Sequence, residues 1–359
     1  MKTVFGFTLL IAALILSADA SAQQCSCISV HPVTIGVNVQ NPPIMSKARA
    51  ANLGWVRVGV LWSEVETTQG NWDFAGDDAD IRDATAAGLK VLVILFHTPG
   101  WAGGGANHNI PAANIALWEE YVRRVAQRYN GSDPTMKVDA YEIWNEPDLV
   151  NSGDGIGWNY DISAYPRYVD YVHSAAVQIR TWAPGAKVVA GAYSAGGSSG
   201  SSSTTRIRLF SDHLEHTNYA DGNASDFVDV MSLHANGMGS EYSDNTTDRA
   251  KFRIDDMAMY NPRNACKPKW ITEFGFASAL VGESSQKDRI KRMVEMFAGT
   301  HYSSNCTGWT RGTHNVEIAF IYVQLDFGTL TRGIHRVDQS PKPVVTQYLQ
   351  LLPYPAADY

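Results

Sequence analysis

Basic charge is scarce in this chain. Its 29 Lys and Arg stand against 36 Asp and Glu, a formal net charge of −7. Such a balance cannot neutralise a row of phosphates, which excludes nucleic acid as a partner and argues against anionic membrane surfaces. Cysteine is sparse as well, with four in 359 residues, and no metal-site spacing is present. His213-Leu214-Glu215-His216 has the wrong spacing for a zinc helix and reads as a solvated helical face. The glycine-rich phosphate turn of a nucleotide fold is missing after the first strand pattern. No metal and no cofactor are expected. After the first segment, no apolar run is long enough to span a bilayer.

That first segment is present and distinct. Lys2 precedes an apolar run from Val4 to Leu16, and Ala20-Ser21-Ala22 follows with small residues flanking a cleavage point. Residues 1–22 therefore read as a secretory signal, and 23–359 as one domain of a secreted or periplasmic protein. The run is short for a membrane span, so an uncleaved anchor is the lesser alternative. Export makes disulfides the expectation for Cys25, Cys27, Cys266 and Cys306. Cys266 and Cys306 both precede predicted strands and are the favoured pair, with Cys25 and Cys27 bonded to each other or free. Sequons at Asn130, Asn223, Asn245 and Asn305 carry meaning only in a eukaryotic secretory pathway.

Strand and helix patterns alternate along the rest. The strands are predicted at Thr34–Gln40, Trp55–Trp62, Leu89–Phe96, Val138–Trp144, Lys187–Ala192, Phe227–His234, Trp270–Phe274 and Val316–Leu325. The helices are predicted at Ser46–Leu53, Asp77–Ala87, Asn114–Tyr129, Ala164–Trp182, Thr205–His216, Asp248–Tyr260, Ser284–Ala298 and Pro343–Leu352. Leu89–Phe96 is almost continuously apolar, as a strand buried on both faces is. Asn114–Tyr129 shows helical spacing, with Leu117, Tyr121, Val122, Val125 and Tyr129 on one stripe. Eight such repeats imply an α/β fold of the (β/α)8 barrel type in a single domain. Gly196–Thr205 is low in complexity and reads as a flexible loop on the catalytic face.

Two of these strands end in glutamates. Trp144-Asn145-Glu146-Pro147 closes the fourth and Thr272-Glu273-Phe274-Gly275 the seventh. A lone glutamate at a strand end is ordinarily a solvated loop residue. Two of them facing each other across a barrel mouth are the apparatus for breaking a glycosidic bond. One protonates the leaving oxygen and the other attacks the sugar carbon. Arg57 lies in the run WVRVGVLW, too apolar for a casual charge, so a buried acidic partner is expected. Glu142 alternates onto the barrel interior, as a support for Arg57 or a core anchor. His97 and His234 stand at the ends of the third and sixth strands, as sugar contacts or as structural histidines. Trp101, Trp158 and Tyr160 are candidates for stacking on sugar rings, with core packing the alternative.

On these residues the chain resembles glycoside hydrolase clan A, the retaining β-glycosidases built on (β/α)8 barrels. The likeness narrows toward the family 39-like group of β-xylosidases and exopolysaccharide hydrolases. Trp62, Glu66, Gly70, Trp72 and Phe74 carry it, with Thr98-Pro99-Gly100-Trp101-Ala102, Tyr322-Val323-Gln324-Leu325-Asp326 and Ser340-Pro341-Lys342-Pro343. The resemblance implies that Glu146 is the general acid and then base, and that Glu273 is the nucleophile. It implies that Asn145 bonds the sugar 2-hydroxyl and that Arg57 pairs with Glu273. Two departures stand out. His234-Ala235-Asn236 lacks the tyrosine that many clan members carry after this histidine, and Tyr322 stands where many carry a tryptophan.

The function expected is a secreted retaining β-glycosidase acting on a β-linked oligo- or polysaccharide. Its rivals are a transglycosylase on the same scaffold and a catalytically silent glycan-binding barrel.

Overall fold

The computed structural model describes residues 33–39, 44–105, 108–148, 164–194, 201–235, 254, 264, 267–299, 316–327 and 331–352. The expected signal segment, all four cysteines, Trp158 and Tyr160 lie outside the described residues. No helix among the described residues is long and apolar enough to cross a membrane.

Eight strands close into a barrel. They are β1 (Thr34–Asn38), β2 (Trp55–Leu61), β3 (Lys90–Phe96), β4 (Ala140–Ile143), β5 (Lys187–Tyr193), β6 (Val230–His234), β7 (Lys269–Phe274) and β8 (Val316–Ile321). Each pairs in parallel with the next, and β8 closes on β1. Around them run α1 (Met45–Ala50), α2 (Ala75–Ala86), α3 (Ile115–Arg128), α4 (Ala164–Trp182), α5 (Ser201–His216), α6 (Glu283–Gly299) and α7 (Pro343–Gln347). The expected helix at Asp248–Tyr260 lies outside the described residues, apart from helical Ile254. The expected (β/α)8 barrel is the architecture observed.

Helix α3 illustrates how the sequence builds the outer layer. Asn114 caps it, its side-chain oxygen accepting the Ala116 N–H at 3.1 Å. Trp118, Tyr121, Val122, Val125 and Ala126 turn inward and are buried. Trp118 rather than Leu117 takes the inner edge of the stripe, because the larger indole reaches the layer of Trp62, Trp144 and Tyr171.

Three of the boundaries that differ from the sequence reading have a local physical cause. Helix α5 begins at Ser201, so the second half of the low-complexity stretch is helical. Serine and threonine are tolerated in a first helical turn, and polarity alone does not mark a loop. Residues Ala224–Phe227 form a 3-10 turn capped by Asn223, so β6 starts at Val230 rather than Phe227. Beyond Ile321 the ladder of β8 ends, although the Gln324 N–H still donates to the Asn38 carbonyl on β1 at 3.0 Å.

The barrel interior changes character along the strands. Its floor is apolar, made of Trp55, Leu92, Ala140, Val189, Val230, Trp270, Ile318 and Phe320. Gly36 makes room there, since a Cβ would stand 2.6 Å from the Phe320 ring. Two residues further along, the inward positions turn polar: Asn38, Arg57, Glu142 and Ser232, all buried. Side chains alternate with period two, so β2, β4 and β6 each carry one apolar and then one polar residue into the same interior.

Candidate active site

The polar layer is organised by Arg57. Its Nε donates to Glu142 Oε2 at 2.7 Å, and Nη1 donates to Asn38 Oδ1 at 2.8 Å and to Glu273 Oε1 at 2.9 Å. Nη2 donates to Asn145 Oδ1 at 3.0 Å. Guanidinium has donors only, so each partner must present oxygen, which fixes the Asn145 amide with its NH2 free to face a ligand. Burial works against the charge on Arg57, but the carboxylates of Glu142 and Glu273 outweigh it and raise its pKa above the ordinary value. Asn38 in turn donates to the Thr272 carbonyl at 2.9 Å, tying β1 to the residue before Glu273.

Glu146 sits on a tightly turned segment. Trp144 and Glu146 both have left-handed backbone, with φ of 67° and 46°. Such residues persist where neighbours fix them. Trp144 is buried against Trp118 and Tyr171, and its N–H donates to the Leu95 carbonyl at 2.9 Å. The Glu146 N–H donates to the Ala192 carbonyl at 3.1 Å.

His234 bridges the two glutamates. Its Nδ1 stands 2.8 Å from Glu146 Oε1 and 3.6 Å from Glu273 Oε2. Those two oxygens are therefore at most about 6.4 Å apart, a limit reached only if the nitrogen lay on the line between them. Burial disfavours a charged imidazole here, but Glu273 and Glu146 more than offset it against the opposing Arg57, and the His234 pKa is raised. Tyr322 belongs to the same centre. Burial raises its phenol pKa and Glu273 adds to this, with Arg332 and Arg57 opposing and Glu146 contributing. Gly275 lets the two strand ends close, since a Cβ there would stand 2.4 Å from the Tyr322 carbonyl oxygen.

Six of the expected site residues thus come together: Arg57, Asn145, Glu146, His234, Glu273 and Tyr322. His97 stands at the end of β3 with φ of 66°, half-buried, its ring 6.2 Å from that of His108. Burial, aided by His108, pushes its pKa down to about 4. Trp101 donates its indole N–H to the Glu66 carbonyl at 2.8 Å and meets Trp62 edge-on. These contacts hold Trp101 to the loop after β2. The Glu66 carboxylate is itself structural, accepting from Trp62 Nε1 at 2.8 Å and from the Gly70 N–H at 2.7 Å. Asn38 and Ser232 were not singled out by sequence. Their only signal is a small polar residue at an inward position of an apolar strand.

The fold recurs among solved structures. A family 39 glycoside hydrolase from Bacteroides cellulosilyticus WH2 shares 18% identity at a TM-score of 0.61, over 89% of this chain and 63% of that one. The chain thus spans less than two thirds of that protein's length. A GH5_18 protein from Streptomyces cattleya, in complex with Manβ1-4GlcNAc, shares 15% identity at a TM-score of 0.66 over 90% and 83% of the two chains. Fungal β-1,4-galactanases share 14% identity at a TM-score of 0.63 over 89% and 99%. No curated protein matches the chain in sequence. The family model for cellulases, glycosyl hydrolase family 5, matches residues 18–315. Most of the chain lies within that match, both glutamates included, and the protein belongs to glycosyl hydrolase family 5.

Proposed function

We propose that this protein is an exported retaining β-glycosidase that cleaves a β-linked oligo- or polysaccharide by double displacement. The observation that carries the reading is that the carboxylates of Glu146 and Glu273 converge on one nitrogen of His234, at 2.8 and 3.6 Å, with Arg57 on Glu273. Retention needs carboxyl groups about 5 to 5.5 Å apart, and inversion needs about 6.5 to 9.5 Å to admit a water. The two glutamates also differ in their partners. Glu273 faces the fixed cation of Arg57, which suits a carboxylate that must attack as an anion. Glu146 faces His234 at 2.8 Å, a hydrogen bond to a ring nitrogen.

In the first step Glu146 gives its proton to the leaving oxygen. The bond from that oxygen to the anomeric carbon breaks as a Glu273 oxygen bonds to the same carbon. In the second step Glu146 takes a proton from water, the water oxygen bonds to the anomeric carbon, and the Glu273 ester opens. With its oxygen taken by Arg57, Asn145 would offer its NH2 to the sugar 2-hydroxyl, a contact that strengthens in the transition state. Tyr322, His97 and Trp101 would line the sugar sites, with Trp158 and Tyr160 further candidates by sequence. Export rests on the leader pattern of residues 1–22.

The test is product analysis by mass spectrometry on a panel of β-linked glycans, including Manβ1-4GlcNAc and β-1,4-galactan. Glu273→Gln is the control. Cleavage by the native protein and none by the folded variant is expected. Near-native turnover by Glu273→Gln would remove it as the nucleophile.

A further inference from the structure

Strand β5 does not run straight to its end. Its pairing with β6 shifts register between Ala190 and Tyr193. Within the shift, Gly191 and Ala192 have φ of 126° and 44°. A Cβ on Gly191 would stand 2.2 Å from the Ser232 carbonyl oxygen, so the two strands touch closely at this point. An alanine with left-handed backbone needs its surroundings to hold it.

Ser232 provides that hold. Its Oγ accepts the Ala192 N–H at 2.7 Å, and the Ala192 carbonyl accepts the Glu146 N–H at 3.1 Å. A hydroxyl has one proton, and a backbone N–H can only donate, so the Ser232 proton goes elsewhere. It goes to Glu142 Oε1 at 2.7 Å. The other oxygen of Glu142 takes the Arg57 Nε at 2.7 Å, and Arg57 reaches Glu273 at 2.9 Å. Both Ser232 and Glu142 are fully buried. One unbroken chain of bonds therefore runs from the backbone of Glu146 to the carboxylate of Glu273, with a single hydroxyl in its middle.

We propose that Ser232 is a positioning residue that fixes Glu146 and Glu273 relative to one another by pinning the Ala192 bulge to the Glu142–Arg57 pair. This rests on the reading of those glutamates as acid/base and nucleophile. Without the hydroxyl, a buried N–H and a buried carboxylate oxygen each lose a partner. The bulge is then free to relax, and the two glutamates drift from reacting geometry. Small misplacements of this kind slow the chemical step far more than they weaken binding.

The test compares native protein, Ser232→Ala, Glu142→Gln and the double variant on a glycan that the native protein cleaves. Ser232→Ala is expected to lower kcat by about 10- to 100-fold with KM within about twofold. The double variant is expected to be about as slow as the slower single variant, because both cut the same chain. Two results would overturn the proposal: a Ser232→Ala kcat within twofold of native, or losses that multiply in the double variant. If Ser232→Ala does not fold, Glu142→Gln alone carries the test, since a kcat within twofold of native there also breaks the chain. A native protein that cleaves no glycan takes down the glycosidase reading and this one together. A native enzyme matched by Ser232→Ala takes down only this one.

Discussion

Two histidines of the site titrate in opposite directions, and the pH dependence of stability follows from that contrast. His234 holds its proton more tightly in the fold than at the ordinary value of 6.5. Burial opposes this, and the carboxylates of Glu273 and Glu146 override it. Its contribution to stability is therefore complete below pH 6.5 and is lost as pH rises through the raised value. His97 is pushed down to about 4 by burial and by His108, so the unfolded chain takes up its proton first. Stability is lost from that source as pH falls from 6.5 toward 4. We predict a thermal midpoint that climbs between pH 4 and 6.5 and declines above it. His97→Asn should flatten the acid limb and His234→Asn the alkaline one. Unchanged limbs in these variants would contradict the assignment of either slope.

At the scale of elements, the segment after β8 matters most, because it carries Tyr322 into the centre. A buried lysine anchors it. Lys342 Nζ lies 2.9 Å from Asp326 Oδ1 and 2.8 Å from Oδ2, and also donates to Ser278 Oγ at 2.9 Å. Gln286 from α6 adds a bond to the Phe276 carbonyl at 2.8 Å. The motif Ser340-Pro341-Lys342-Pro343, visible in sequence as part of a resemblance, thus has a physical task in joining the segments after β7 and β8. Lys342→Ala leaves the Asp326 carboxylate without its cation in a nearly closed setting, and should cost about 3 to 5 kcal/mol of stability. Denaturant unfolding measures it, and a loss below about 1 kcal/mol would mean that solvent or another group replaces the lysine.

The same scale shows what could be read in advance. Strands such as Lys90–Phe96 announce themselves, because burial on both faces demands an apolar run. Glu146 and Glu273 were legible because their tetrads repeat the strand-to-loop pattern. Arg57 was legible because a charge inside WVRVGVLW needs a partner. The bulge at Gly191 inside β5 and the start of β6 were not, since the one rests on a close approach to the next strand and the other on the capped turn after Asn223, and tertiary contacts set both. Ser232 gave no sign of its two partners, which lie 40 and 90 residues away. Sequence patterns report faces and periods, and a hydrogen bond across the barrel leaves neither.

For the molecule as a whole, one interior serves two purposes. The apolar floor of Trp55, Trp270 and Phe320 closes one end of the barrel, with ring centroids 5.1 to 6.4 Å apart. Above it the polar layer holds an arginine, a histidine and three glutamates in mutual contact. On the proposed function, a formal charge of −7 favours neutral or cationic glycans over strongly anionic ones. The central claim is that the two glutamates lie close enough for direct attack rather than for a water between them. Proton NMR of the first-formed product tests it most directly, by following the anomeric signal before mutarotation. The account predicts that the β configuration of the cleaved linkage is retained. First formation of the α anomer would contradict it.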